Sequence, residues 1–195
     1  PKPNIKRLKN TILFAGTVCE KKGIKQLVLA MKNVFQSFPE ITLEVYGRDW
    51  FFKDGSSYIE FLKKDIIPTL GNYAKHIIFR GVVSTEILAE KYASSRLCVF
   101  PSLMETQGLV APEAMVMEKL VVFSDRGPGP ETIYHKETGL LCNPYDIKSI
   151  SEQIIWALKN IQESKKIAQK ARQFVLKNYN IEDILKTNIE FYKSV

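Results

Sequence analysis

The chain has 195 residues, 45% of them hydrophobic and 25% charged, with a formal net charge of +7. That length can bury one sizeable core, the balance argues against disorder, and no apolar run approaches the roughly 20 residues of a membrane-spanning helix. The positive charge favours anionic partners such as nucleotides, phosphorylated lipids or a membrane face, and it sets encounter rather than chemistry.

Pro1-Lys2-Pro3-Asn4-Ile5-Lys6-Arg7 is basic, weakly apolar and stiffened by prolines. It predicts an interdomain linker over 1–9 and a further domain upstream. Beyond it, short apolar runs alternate with longer amphipathic ones. Strands are predicted at Thr11–Ala15, Ile41–Tyr46, His76–Phe79, Leu97–Phe100, Leu120–Phe123 and Gly139–Cys142. Helices are predicted at Ile24–Phe38, Ser57–Leu70, Thr85–Ser94 and Leu109–Glu118, with three more after the last strand. The alternation implies a Rossmann-like α/β domain over 10–195, a doubly wound parallel sheet with helices on both faces and C-terminal helices. In the strand order 3-2-1-4-5-6, a crevice opens at the carboxyl ends of the first and fourth strands, where the loops Gly16–Gly23 and Pro101–Gly108 face each other.

In the first loop, Gly16 and Gly23 allow backbone to approach a ligand, the next helix offers unpaired N–H groups to an anion, and Lys22 adds a mobile charge. Lys21 and Lys22 read equally well as a solvated helix start. The G-x-G-x-x-G fingerprint is absent, which disfavours a nicotinamide or flavin site. In the second loop, Glu105 and Glu113 flank a glycine turn at a strand-to-helix junction. Pro112 lacks an N–H and belongs in the first helical turn, so Glu113 sits early in the helix. Two carboxylates so placed suit the vicinal hydroxyls of a ribose and a hexose, although either alone reads as a helix-dipole residue or a surface acid.

Elsewhere the signals are weaker. Arg80-Gly81 can present backbone to a base or form an ordinary turn. Gly127-Pro128-Gly129-Pro130-Glu131 fixes a tight turn, while Arg48, Asp49 and Trp50 either cover the crevice or cap the second strand. His76 and His135 lack partners at ligand spacing, so no metal is expected. Cys19, Cys98 and Cys142 show no CxxC spacing and are expected to be reduced, in a cytosolic setting. The C-terminal lysines alternate with Glu152, Glu163, Glu182 and Asp183, which reads as a solvated helix surface and not as a nucleic-acid patch.

Phe14-Ala15-Gly16 with Lys22-Gly23, Phe79-Arg80-Gly81, Phe100-Pro101-Ser102, Glu105-x7-Glu113 with Gly108-Leu109-Val110, Gly129-Pro130-Glu131 and Thr138-Gly139 occur in a specific order. Together they resemble the C-terminal domain of family 4 retaining glycosyltransferases of the GT-B fold, from about Asn10 to the end. The resemblance implies the donor half of a two-domain enzyme of polysaccharide biosynthesis, binding a UDP- or GDP-linked sugar with no metal and no cofactor. An absent N-terminal domain would hold a glycan or lipid-linked acceptor, and the basic surface would suit peripheral contact with the inner membrane face. Carried over, Glu113 binds the ribose, and Glu105 binds the sugar and supports charge at its anomeric carbon. Lys22 neutralises the diphosphate, Gly16 and the N–H groups of Gly108, Leu109 and Val110 meet phosphate and sugar, and Arg80 and Gly81 lie against the base. Two positions depart from the pattern: Thr17 stands where the family usually has an arginine, and Gln107 where an aromatic is frequent. Either Lys21, Arg48 or Arg126 compensates for the lost phosphate clamp, or the diphosphate is held more weakly. A non-catalytic nucleotide or sugar-phosphate binding module is the alternative.

Overall fold

The computed structural model describes residues 10–194, so the expected linker over 1–9 lies outside the described residues. A six-stranded parallel sheet in the order β3-β2-β1-β4-β5-β6 forms the centre. Its strands are β1 (Thr11–Ala15), β2 (Thr42–Tyr46), β3 (Ile77–Gly81), β4 (Leu97–Phe100), β5 (Val121–Ser124) and β6 (Leu140–Cys142). The strands β1, β4 and β5 are buried along their whole length. Uninterrupted apolar runs such as Thr11–Ala15 are therefore strands covered on both faces.

Helices α1 (Ile24–Ser37), α3 (Thr85–Ser94), α4 (Val110–Val116), α6 (Ile147–Lys159), α7 (Ile161–Asn178) and α8 (Ile181–Ser194) match expected elements within a few residues, and a short α5 (Gly129–Thr132) replaces the expected tight turn. In α1 the apolar positions Ile24, Leu27, Val28, Met31, Val34 and Phe35 recur at helical spacing and are buried, each stabilising by about 1.5–3 kcal/mol. α1 packs against α6 and α4 against α7, giving the two helical layers. Asp146 starts α6 by accepting the Lys148 N–H at 2.8 Å, and Ser84 starts α3 through the Ile87 N–H at 3.4 Å.

The single helix expected over Ser57–Leu70 is broken. A turn of α-helix, α2 (Tyr58–Phe61), widens into a π segment at Leu62–Ile66 and tightens into 3-10 geometry over Ile67–His76. Pro68 cannot donate to an earlier carbonyl, and Gly71 leaves helical geometry at φ 61, ψ −129. The helical segment thus runs through His76, and β3 begins one residue later than expected.

Candidate functional site in the crevice between β1 and β4

After β1, the chain turns at Gly16, and Val18 forms a parallel bridge with Asp49 beyond β2. A 3-10 turn at Glu20–Lys22 leads to Gly23, whose φ is 70°. A Cβ on Gly23 would stand 1.8 Å from the Pro101 carbonyl oxygen. Only glycine lets the loop after β1 lie on the loop after β4. The Lys21 carbonyl fastens them, accepting N–H bonds from Leu103 at 2.9 Å and Met104 at 3.1 Å. The two loops that the strand order was expected to bring together are therefore in direct contact.

Across this seam Lys22 Nζ meets Glu105 Oε2 at 2.6 Å, with the Glu105 side chain 8% exposed and that of Lys22 31%. The Ser102 hydroxyl lies 3.3 Å from the same oxygen as a donor, and the Thr106 N–H donates to Oε1 at 3.1 Å. A nearly buried carboxylate is held by an ammonium, a hydroxyl and a backbone amide. Charge-assisted bonds of this kind fix its position more tightly than packing alone. Lys22 has three donors, and Glu105 occupies one.

A cleft of about 430 Å³ opens over the pair. Thr17, Cys19, Glu20 and Lys21 line one part, Trp50, Phe52 and Tyr58 another, and Met104 and Thr106 the rim beside Glu105. Of Asp49 and Trp50, expected either to cover the crevice or to cap the second strand, only Trp50 lines the cleft. The Asp49 carboxylate accepts N–H bonds from Trp50 and Ile59 and the Ser57 hydroxyl, so it organises the start of α2.

The second carboxylate stands apart. Glu113 lies in the first turn of α4, which also holds Pro112. Its Oε2 accepts from the Tyr92 hydroxyl at 3.4 Å. Burial raises the Glu113 carboxyl above its ordinary value near 4.5, and the Tyr92 bond offsets part of that rise. Gly108, at φ 66°, brings the backbone within reach of Phe123, where a Cβ would be 2.5 Å from the ring. Leu109 caps α4 and Val110 begins it. Neither Glu113 nor Arg80, Gly81, Gly108, Leu109 and Val110 lines the 430 Å³ cleft.

Arg80 is committed to β2, its Nε donating to Glu44 Oε1 at 3.0 Å. The Tyr46 hydroxyl donates to the other Glu44 oxygen at 2.6 Å. Gly81 accepts the Gly47 N–H at 2.9 Å. Sequence reasoning missed Glu44, a glutamate in an otherwise apolar strand; that misfit was the available signal, because an acid between two sheet neighbours needs a partner. Tyr92 was missed as well, one aromatic among several in α3.

Of the substitutes for an arginine at Thr17, Lys21 lines the cleft, Arg48 is exposed, and Arg126 is paired with Asp125 at 3.2 Å. Cys98 and Cys142 are buried in β4 and β6, where burial pushes both thiols up to about 12 and makes them unreactive. Among the described residues, no group of three or more His, Cys, Asp or Glu is placed to hold a metal ion. No described helix is long and apolar enough to cross a membrane. Two of the C-terminal lysines form surface pairs, Lys148–Glu152 at 3.7 Å and Lys166–Glu163 at 3.6 Å.

An open parallel sheet whose order reverses between β1 and β4, with a lysine–carboxylate pair in the resulting crevice, defines an α/β domain of the doubly wound class. Within that class the chain belongs to the group 1 glycosyl transferases, whose family model matches residues 1–174. An uncharacterized glycosyltransferase of Methanocaldococcus jannaschii is 30% identical over 182 residues, spanning 93% of this chain and 44% of the relative. The sucrose-phosphate synthase of Thermosynechococcus elongatus superposes with a TM-score of 0.84 at 27% identity, over 98% of this chain and 46% of that one. Anabaena HepE, solved in complex with UDP, superposes with a TM-score of 0.86 at 23% identity, over 96% of this chain and 50% of that one, a likeness of fold. The chain thus spans about half the length of the proteins it matches.

Proposed function

We propose that residues 10–195 are the donor-binding half of a retaining hexosyltransferase, holding a UDP- or GDP-linked sugar for transfer to a glycan or lipid-linked acceptor. The observation that carries this reading is the Lys22–Glu105 pair at the seam of the two loops. Lys22 balances the diphosphate as it departs, and Glu105 orients the sugar and supports positive charge at the anomeric carbon. Gly16 and the backbone of Gly108, Leu109 and Val110 approach the phosphates and sugar, Glu113 takes the ribose hydroxyls, and Arg80 and Gly81 flank the base. The acceptor is held by a domain joined through 1–9, and transfer takes place on the cytoplasmic side, at or near the membrane face.

Calorimetric titration of the 195-residue chain with UDP and GDP tests the reading. One of them binds, and Glu113→Ala weakens it about tenfold or more, the scale of a lost charge-assisted pair. Absence of heat with both nucleotides would refute it. Thr17 in the cleft supports a second reading, a non-catalytic nucleotide or sugar-phosphate binding module. Donor hydrolysis or transfer by the chain joined to its upstream domain separates the two.

A further inference from the structure

Three aromatic residues of the cleft have no part in the roles above. Trp50 is 52% exposed and Phe52 40%, whereas Tyr58 is buried beneath them. The Phe52 ring lies 5.3 Å from that of Tyr58 and 5.8 Å from that of Phe61, and Tyr58 and Phe61 are 5.5 Å apart. Exposed tryptophan and phenylalanine cost solvation, and two of them lining one cleft mark a contact surface. Their loop is held in place. Asp49 accepts the Trp50 N–H at 2.9 Å and the Ile59 N–H at 3.0 Å, Tyr58 N–H donates to the Trp50 carbonyl at 2.8 Å, and Phe52 N–H to the Ser56 carbonyl at 2.9 Å. The loop backbone is therefore preorganised, and the Phe52 ring is held against Tyr58 and Phe61.

We propose that Trp50 and Phe52 are the stacking platform for the pyranose ring of the nucleotide-linked sugar, a role that rests on the donor-domain reading. A pyranose offers a C–H face to an aromatic ring and hydroxyls at its edge to a carboxylate. The cleft is lined by both kinds of group, the aromatic side chains of Trp50 and Phe52 and the carboxylate-bearing Glu105. A nucleobase would also stack. However, Glu113, Arg80 and Gly81, the positions for ribose and base, line no part of this cleft. The aromatic wall shares its cleft with Lys22 and Glu105, the positions for diphosphate and sugar. On that ground it is assigned to the sugar end, with the base end as the outcome that overturns it.

The test compares nucleotide with nucleotide sugar in calorimetry on the 195-residue chain, using UDP against UDP-glucose and UDP-N-acetylglucosamine, and GDP against GDP-mannose. Trp50→Ala lowers affinity for the sugar-bearing ligand about 5- to 10-fold and leaves the bare nucleotide within about twofold, while Trp50→Phe keeps most of the sugar increment. An equal loss with both ligands assigns the wall to base or phosphate and overturns the platform, as does no loss with either. A second measurement does not depend on the alanine variant folding. Trp50 and Trp156 are the two tryptophans, so Trp156→Phe isolates the Trp50 emission. The sugar nucleotide then shields it from acrylamide and the bare nucleotide does not. A parent that binds no nucleotide refutes the donor reading and the platform with it, whereas sugar-independent effects sink the platform alone.

Discussion

The sheet carries a cavity at each end: about 430 Å³ at the carboxyl ends of β1, β2 and β4, and about 390 Å³ at the amino ends of β4 and β5. Size does not distinguish them, but their walls do. At the amino end, Leu97 and Leu120 meet Ala157, Ile161 and Ala168 of α6 and α7. Two polar side chains there turn onto helix backbone, Ser164 to the Ala157 carbonyl at 2.9 Å and Arg96 to the Leu158 carbonyl at 3.4 Å, and Glu118, Lys119 and Lys165 also line the gap. At the carboxyl end the walls are loops, and charged side chains reach across from one loop to another. The amino-end gap contains one left-handed residue, Glu118 at φ 57°, which lies in its wall. The crevice is instead maintained by a glycine pressed against the facing loop, a shared carbonyl and an ion pair, so the difference lies in contacts made between loops.

Four substitutions or conditions probe that contrast, in falling order of effect. Gly23→Ala drives a Cβ into the Pro101 carbonyl at a positive φ, and urea melts should show a loss of about 3 kcal/mol or more. A loss under about 1 kcal/mol would mean the seam yields easily. Lys22→Met leaves the nearly buried Glu105 carboxylate without its ammonium and costs about 1–3 kcal/mol. Adding Glu105→Gln recovers part of that loss, and strictly additive losses would deny the coupling.

The third probe is pH. Burial raises Glu113, so the folded chain holds that proton more tightly than the unfolded one, and the group's penalty on folding shrinks as pH falls through the raised value towards 4.5. On the proposed role of Glu113 at the ribose, nucleotide binding responds oppositely, since the ionised carboxylate is the stronger acceptor for the hydroxyls. Affinity falls on acidification from a pH above 4.5, and Glu113→Gln flattens the profile. A parent profile unchanged by that substitution would remove Glu113 from the ligand. Smallest is Ser164→Ala at the other end of the sheet, about 1 kcal/mol in stability and no change in nucleotide affinity. Weakened binding there would join the two cavities into one system.

The strands were legible because burial on both faces writes uninterrupted apolar runs such as Leu97–Phe100, and the strand order was taken as the common doubly wound one, which the sheet has. The helix over Ser57–Leu70 was read as regular because its apolar spacing survives the π widening at Leu62–Ile66. Of the site, the facing loops were legible from topology, and the family resemblance supplied residue roles. The contact between Lys22 and Glu105 was not, since residues 83 apart in sequence carry no mutual signal without an alignment. Tyr92 beside Glu113 and Glu44 beside Arg80 were hidden in the same way. Trp50 was noticed, but its neighbours Phe52 and Tyr58 join it only through the tight loop around Asp49.

The Lys21 carbonyl that accepts both Leu103 and Met104 also sets an order of events. Strands β1 and β2 can pair as soon as both exist, yet the crevice has no second wall until β4 has inserted beside β1 and the following loop has closed on Lys21. Contacts so distant along the chain form late in folding. Slow solvent exchange at the Leu103 and Met104 amides should therefore appear after protection of β1 and β2, and it would time the moment at which the protein first becomes able to hold a ligand.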